Sequence, residues 1–153
     1  MKTSLMMPRL LHDEAGASAA EFVLILPLMT LLLFGAVDVG GLAWSQMQVG
    51  AAARAGATYA LTNGFDVDGI TDAVTNAVGL TVTAEAPEER FGCPDAATGV
   101  TEMDDDTTPC PDGVTMPGNY AIVSASADYS PIFGWPGLTD PVPLSAETKV
   151  RIP

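Results

Sequence analysis

Basic residues are scarce in this sequence. Six lysines and arginines stand against 19 aspartates and glutamates in 153 residues, and the net charge is −13. Binding to nucleic-acid phosphates or to anionic lipid headgroups requires a basic surface, so this composition favours neither partner. Any attachment to a membrane has to come from the burial of apolar side chains.

The residues that usually perform chemistry are also few. The single histidine is His12, close to the N-terminus, and the two cysteines are Cys93 and Cys110. Two cysteines without a nearby histidine do not complete a four-ligand zinc site. The sequence therefore predicts no enzyme, no metal site and no cofactor. In an oxidising compartment Cys93 and Cys110 are expected to form a disulfide.

A long apolar run stands near the N-terminus. Residues 22–37 carry no charge, and Thr30 is their one polar side chain. A membrane-spanning helix needs roughly 20 residues, which the stretch 17–38 supplies. A core helix of a soluble protein is disfavoured, because a segment that is apolar on all faces needs a large protein around it. A secretory signal cleaved near Ala43 is the other alternative, but the acids that precede the run suit it poorly. A retained anchor is favoured.

The charges that flank this run predict its orientation. Lys2 and Arg9 precede it, whereas the first basic residue after it is Arg54. Because basic residues are retained on the cytoplasmic side, we expect a single-pass protein of the bacterial inner membrane with its N-terminus in the cytoplasm. The region 39–153 would then be periplasmic or extracytoplasmic.

Glu21 is unusual, because a carboxylate at the edge of an apolar helix costs free energy unless it is paired. One interpretation is that Glu21 has no specific function and its charge simply reaches the lipid headgroups. The surrounding motif, GASAAEF at 16–22 followed by Pro27, resembles the processing site of type IV pilin-like proteins. With FGAVDVG at 34–40 and AAARAGATYA at 51–60, it is similar to TadE-like pseudopilins of the tight adherence (Flp pilus) machinery.

This resemblance implies a leader at 1–16 that a prepilin peptidase cleaves between Gly16 and Ala17. It also implies that Glu21, next to Phe22, pairs with the new α-amine of Ala17 and sets the register between subunits. The implied partners are the peptidase, other pilin-like subunits and the pilus assembly platform. The implied function is the assembly or priming of a Flp-type pilus for adhesion.

The helical pattern continues beyond the anchor to about residue 61, where Asn63 and Gly64 provide a stop. Small residues recur along this helix at four-residue spacing, which lets another helix approach closely. They are Ala36, Gly40, Ala52, Gly56 and Ala60. Alanine richness alone is the competing explanation, since alanine is the best helix former.

The C-terminal region predicts an α+β fold in which the long helix packs on a small antiparallel sheet of about three strands, as in pilins. Its patterns indicate a short helix at 66–78 and strands at 80–84, 120–129 and 142–152. Residues 85–118 are predicted to be a long loop, disordered or stapled by Cys93–Cys110.

An acidic run, 104–106, lies in this predicted loop. It is most simply a solvated charge run, although a metal ion is an alternative. The competing function is therefore a membrane-tethered extracytoplasmic module whose acidic loop binds a ligand or an ion.

Overall fold

A computed structural model describes residues 14–97, 99–134 and 141–153, with side chains from residue 19 onwards. Most of the predicted leader therefore lies outside the described residues. The elements in chain order are α1 (Glu14–Asn63), α2 (Val67–Thr75), β1 (Thr83–Ala84), β2 (Glu88–Asp95), β3 (Gly99–Met103), β4 (Gly118–Tyr129) and β5 (Val142–Arg151).

Helix α1 has 50 residues and continues through Pro27. It ends where the sequence predicted, because Gly64 takes a φ of 82° and its N–H bonds to the carbonyl of Ala60 at 3.0 Å. Glycine adopts this left-handed conformation without steric cost. The chain can thus turn sharply into α2.

The described strands form one antiparallel sheet in which β4 is central. Strand β5 pairs along one edge of β4, from Tyr120–Arg151 to Tyr129–Val142. On the other edge, β2 pairs with the first half of β4 and β1 with its second half. Strand β3 pairs with β2 and completes a hairpin.

The hydrophobic core lies between this sheet and the second half of α1. Strand β4 turns Ala121, Val123 and Ala125 inward, because alternate side chains of a strand point to the same face of the sheet. They pack in one cluster with Ile70 and Val74 of α2 and with buried alanines of α1. The first half of α1 extends away from this core.

The α+β prediction, a long helix on an antiparallel sheet, is confirmed, but the expected strand number is wrong. Five strands are present among the described residues, because 88–95 and 99–103 form a hairpin within the predicted loop. The sequence EERFGCPD of β2 does not alternate and contains Pro94, so it carries no local strand signal. Its conformation comes from pairing with β4.

Helix α2 is shorter than predicted and begins after Asp66. Asp66 has the extended backbone of an N-cap residue, but its side chain makes no capping hydrogen bond. Its Oδ2 instead accepts a hydrogen bond from the hydroxyl of Tyr59 at 3.3 Å. This contact ties the start of α2 to the end of α1.

Candidate functional site

The apolar first half of α1 is exposed. Its large side chains between residues 22 and 34 keep from 38% (Phe34) to 79% (Leu24) of their surface accessible. The helix is long and apolar enough to cross a membrane. The core-helix alternative is disfavoured, because the described part of the chain packs almost nothing around this segment.

The residues of the predicted processing junction lie in the first turns of α1. Gly16 and Ala17 have helical backbone, and their side-chain surroundings are not described. Glu21 and Phe22 follow, and both are exposed. Among the side chains that the structure describes, no cation forms a salt bridge with Glu21. The pairing role of Glu21 therefore stays a prediction.

Asp38 stands at the boundary between the exposed and the packed halves of α1, and it is completely buried. Its Oδ1 accepts hydrogen bonds from the backbone N–H groups of Ile132 at 2.8 Å and Phe133 at 3.3 Å. Its Oδ2 lies 3.3 Å from the same Phe133 nitrogen. One carboxylate thus holds the segment that follows β4 against α1.

Two aromatic contacts reinforce this attachment. The rings of Phe34 and Phe133 stack with centroids 4.2 Å apart and planes within 9° of parallel. The hydroxyl of Tyr129 donates to the backbone carbonyl of Asp38 at 3.0 Å. Tyr129 can come this close because residue 41 is glycine: a Cβ there would lie 2.5 Å from the Tyr129 hydroxyl oxygen. We call Phe34, Asp38, Tyr129, Ile132 and Phe133 the clasp.

The sequence indicated Asp38 only as part of the family-like motif and gave no sign of its contacts. The available signal was a carboxylate at the end of an apolar run, where an unpaired charge is costly. The identity of its partners was not predictable, because they lie 94 and 95 positions further along the chain.

The small residues of α1 fall into two groups. Ala52, Gly56 and Ala60 are buried in the protein's own core. A Cβ at Gly56 would lie 2.5 Å from Val74 and 2.9 Å from Val123. These three residues therefore serve internal packing and do not present a surface to a partner.

Ala36 and Gly40, in contrast, are exposed. No heavy atom outside the helix lies within 4 Å of a Cβ built at Gly40. Packing of a partner helix at these two residues remains a prediction.

The predicted disulfide is present. Cys93 of β2 and Cys110 are bonded, with their Cα atoms 5.7 Å apart, and both are buried. The bond fastens the segment after β3 to the sheet. The disulfide that was predicted for the loop 85–118 therefore constrains only the second half of that region, residues 104–117.

The acidic run in this segment has a structural use. Asp105 Oδ1 accepts hydrogen bonds from the backbone N–H groups of Thr107 and Thr108, at 3.0 and 2.7 Å. These bonds, chiefly those from Thr108, lower the pKa of Asp105. Asp112 holds a similar turn through Val114 and Thr115. In the part of the chain that the structure describes, no group of three or more acids, cysteines and histidines is arranged to hold a metal ion.

The outer face of the sheet carries an ion-pair cluster. Lys149 of β5 contacts Glu102 of β3 at 2.5 Å and Glu147 at 3.6 Å. The hydrogen bond to Lys149 lowers the pKa of Glu102, and the same bond raises the pKa of Lys149. The pair joins β5 to the far strand of the β2–β3 hairpin.

Comparison with known proteins finds a likeness in the N-terminal part of the chain. No curated protein and no solved structure matches the chain. The family model described as TadE-like protein matches residues 16–58. The match begins at Gly16 and includes the exposed half of α1, Asp38 and two of the buried small residues, Ala52 and Gly56. The resemblance read from the sequence is thereby confirmed for this segment: residues 16–58 are similar to TadE-like proteins.

Proposed function

We propose that this chain is a membrane-anchored pseudopilin, or minor pilin, that helps to assemble or prime a Flp-type tight adherence pilus. The observation that carries the proposal is a continuous 50-residue helix with an exposed apolar first half and a second half packed on a sheet. The match to TadE-like proteins covers most of this helix and begins at the proposed processing residue. A structural subunit also fits a sequence in which no catalytic set is recognisable.

Processing is the first step of the proposed mechanism. A prepilin peptidase of the inner membrane cleaves between Gly16 and Ala17 and removes the leader. The junction lies in the first turns of α1, where helix ends fray readily. Glycine at 16 lets the backbone extend into the protease, since it has no side chain to clash.

Register between subunits is the second step. Cleavage creates a positive α-amine at Ala17, four residues before Glu21. Glu21 is exposed, so its carboxylate is open to the amine of its own chain or of a neighbouring subunit. A carboxylate and an amine that pair within lipid fix one axial position, because every other register leaves a charge unpaired.

Lateral packing is the third step. Ala36 and Gly40 lie on the exposed surface of α1 and have no bulky side chain to keep another helix away. Other pilin-like subunits and the membrane assembly platform are the proposed partners. The globular domain is extracytoplasmic in this arrangement, in keeping with its disulfide.

Intact-mass measurement of the protein extracted from the source bacterium's membranes tests the processing step. We expect a mature chain that begins at Ala17, and a full-length chain for Gly16→Ala. Gly50→Ala is the matched control, since it makes the same replacement in α1 far from the junction. An uncleaved wild-type chain would refute the proposal, and a chain that begins just after Ala43 would instead identify a secretory signal.

Electron microscopy of a deletion strain tests the assembly role. We expect the strain to lack pili or to carry markedly fewer, and the wild-type gene to restore them. Glu21→Gln should be processed yet fail to restore pili, because the amide cannot neutralise the α-amine. Glu85→Gln, which changes an exposed glutamate of the globular domain, should restore them. Normal piliation of both the deletion strain and the Glu21→Gln strain would contradict the proposal.

A further inference from the structure

We propose that the segment 130–134 is a second membrane contact: Ile132 and Phe133 enter the hydrocarbon edge of the bilayer beside α1. The globular domain is then fixed to the membrane surface at two points rather than hanging from one helix. This inference rests on the membrane anchoring in the proposed function, but it is independent of pilus assembly.

The position of Phe133 along the axis of α1 follows from its contact with Phe34. Phe34 belongs to the uncharged run and lies four residues before Asp38, which is about 6 Å along the helix axis. The ring of Phe133 stacks on that of Phe34 at 4.2 Å. Phe133 therefore sits at the same level as Phe34, on the membrane side of Asp38. If α1 places Phe34 in lipid, the stack places Phe133 there too.

The side chains of Ile132 and Phe133 are exposed and apolar. Ile132 keeps 71% of its surface accessible and Phe133 keeps 47%, although the clasp holds both in place. Leu31 and Leu33, which precede Phe34 on α1, are 49% and 62% exposed. The Phe34–Phe133 stack thus joins these exposed side chains to the apolar surface of the helix. Lipid is the occupant that this continuity favours, since lipid is what surrounds the rest of that surface.

The backbone N–H groups of Ile132 and Phe133 have a hydrogen-bond acceptor. An N–H group that enters hydrocarbon without an acceptor is strongly disfavoured, so irregular backbone normally stays outside the membrane. Here the N–H groups of Ile132 and Phe133 both donate to the carboxylate of Asp38. The carboxylate is itself fully buried and gains these two donors. Asp38 therefore supplies the acceptor that a segment at this depth requires.

Site-directed spin labelling of the full chain in lipid nanodiscs tests the proposal. The two native cysteines are bonded to each other, so one introduced cysteine provides the labelling site. Nitroxides at Ile132→Cys, Leu24→Cys and Val114→Cys are compared by their collision rates with oxygen, which concentrates in lipid, and with a nickel chelate, which stays in water. Leu24 is the reference within the span, and Val114, 84% exposed, is the reference on the domain.

We expect the oxygen-to-nickel collision ratio at 132 to resemble that at 24 and to exceed that at 114 several-fold. A ratio at 132 like that at 114, with 24 in lipid, would overturn the second contact and leave the anchor intact. Low collision rates with both reagents at 132 would mean that protein covers the segment, for example a second copy, and would also overturn the proposal. An aqueous value at 24 would overturn the anchor itself.

Asp38 provides an internal check of the mechanism. In Asp38→Ala the segment loses its acceptor, so we expect the label at 132 to become several-fold more accessible to the nickel chelate. Asp128→Ala removes an exposed carboxylate at the end of β4 and should leave the label's ratio unchanged. A label at the exposed Ser130 of the same segment repeats the measurement in case the substitution at 132 disturbs the clasp. Unchanged ratios at both sites in Asp38→Ala would refute the part assigned to Asp38.

Discussion

The carboxylate of Asp38 on α1 accepts a hydrogen bond from the backbone N–H of Ile132 at 2.8 Å, across 94 positions of sequence. This contact joins the boundary of the proposed membrane span to the segment that follows the central strand. The clasp therefore couples the proposed anchor to the globular domain.

Replacement of Asp38 by alanine should destabilise the domain. The change leaves the part-buried backbone N–H groups of Ile132 and Phe133 without their acceptor, at a cost of about 1 kcal/mol for each lost hydrogen bond. Asp128→Ala, an exposed replacement, should change the free energy of unfolding by no more than about 0.5 kcal/mol. Urea unfolding in detergent micelles, followed by circular dichroism, measures both. Equal stabilities of the two variants would mean that the carboxylate of Asp38 contributes nothing to stability.

The adjacent glycines 40 and 41 should respond differently to alanine. At Gly41 the new Cβ would lie 2.5 Å from the Tyr129 hydroxyl oxygen, so the tyrosine has to move and lose its bond to Asp38. At Gly40 the Cβ meets nothing within 4 Å. We expect Gly41→Ala to be less stable than Gly40→Ala by about 1 kcal/mol, the value of one hydrogen bond.

The same pair tests partner packing. Because Gly40→Ala does not disturb the fold, a loss of pili in that variant would locate a helix–helix contact at residue 40.

A combination of Gly41→Ala with Tyr129→Phe checks the cause of the Gly41 effect, since the losses of unfolding free energy in the two single variants should then be less than additive. Strict additivity would show that Gly41 acts by another route.

Gly56 is predicted to be indispensable to the core. A Cβ there would lie 2.5 Å from Val74 Cγ2 and 2.9 Å from Val123 Cγ1, so Gly56→Ala overpacks the contact between α1, α2 and β4. Overpacking costs about 1–3 kcal/mol. Gly50→Ala, where the Cβ finds open space, should instead stabilise the helix by about 0.5–1 kcal/mol. Thermal unfolding followed by circular dichroism distinguishes them, and a stabilised Gly56→Ala would contradict the packing described.

The disulfide is expected to stabilise the sheet through its constraint on the unfolded chain. Replacement of both Cys93 and Cys110 by alanine should lower the unfolding free energy by about 3 kcal/mol, the chain-entropy value for a loop of this length. The wild-type protein in reducing agent should show a comparable loss, whereas the double variant should not respond to the reductant. No difference between oxidised and reduced wild-type protein would refute this role.

The Lys149–Glu102 pair predicts a pH dependence. The folded state lowers the pKa of Glu102, so the contribution of this group is present above its unfolded pKa and is lost as the pH falls through the lower folded value. The folded state raises the pKa of Lys149, so its contribution is present below its unfolded pKa and is lost as the pH rises through the higher folded value. The pair therefore stabilises the domain between the acidic and the alkaline limits.

Unfolding curves from acidic to alkaline pH check this expectation. The effect should be small and should weaken with salt, because the pair is partly solvent-exposed. In Glu102→Gln the difference from wild type should shrink towards acidic pH, where the native glutamate is also neutral. A difference that stays constant down to pH values well below the carboxylate range would exclude the ion pair as its source.

Much of the fold followed from local patterns. The end of α1 at Asn63–Gly64, the inward face of β4 and the pairing of the two cysteines were all predictable. Helical periodicity, strand alternation and helix-stop chemistry act over a few residues. The β2–β3 hairpin was not predictable in this way, because Glu88–Asp95 lacks alternation and becomes a strand through its pairing with β4.

The sequence by itself determined the apolar run, the likeness of 16–58 to TadE-like proteins and the presence of small residues along α1. Only the tertiary structure decided which of those small residues are internal, Ala52, Gly56 and Ala60, and which stay exposed, Ala36 and Gly40. It alone turned Asp38 from a motif residue into the acceptor of a segment 94 positions away. The physical reason is that composition and spacing record what one segment can do, whereas burial and hydrogen-bond partners depend on which distant segments the fold brings against it.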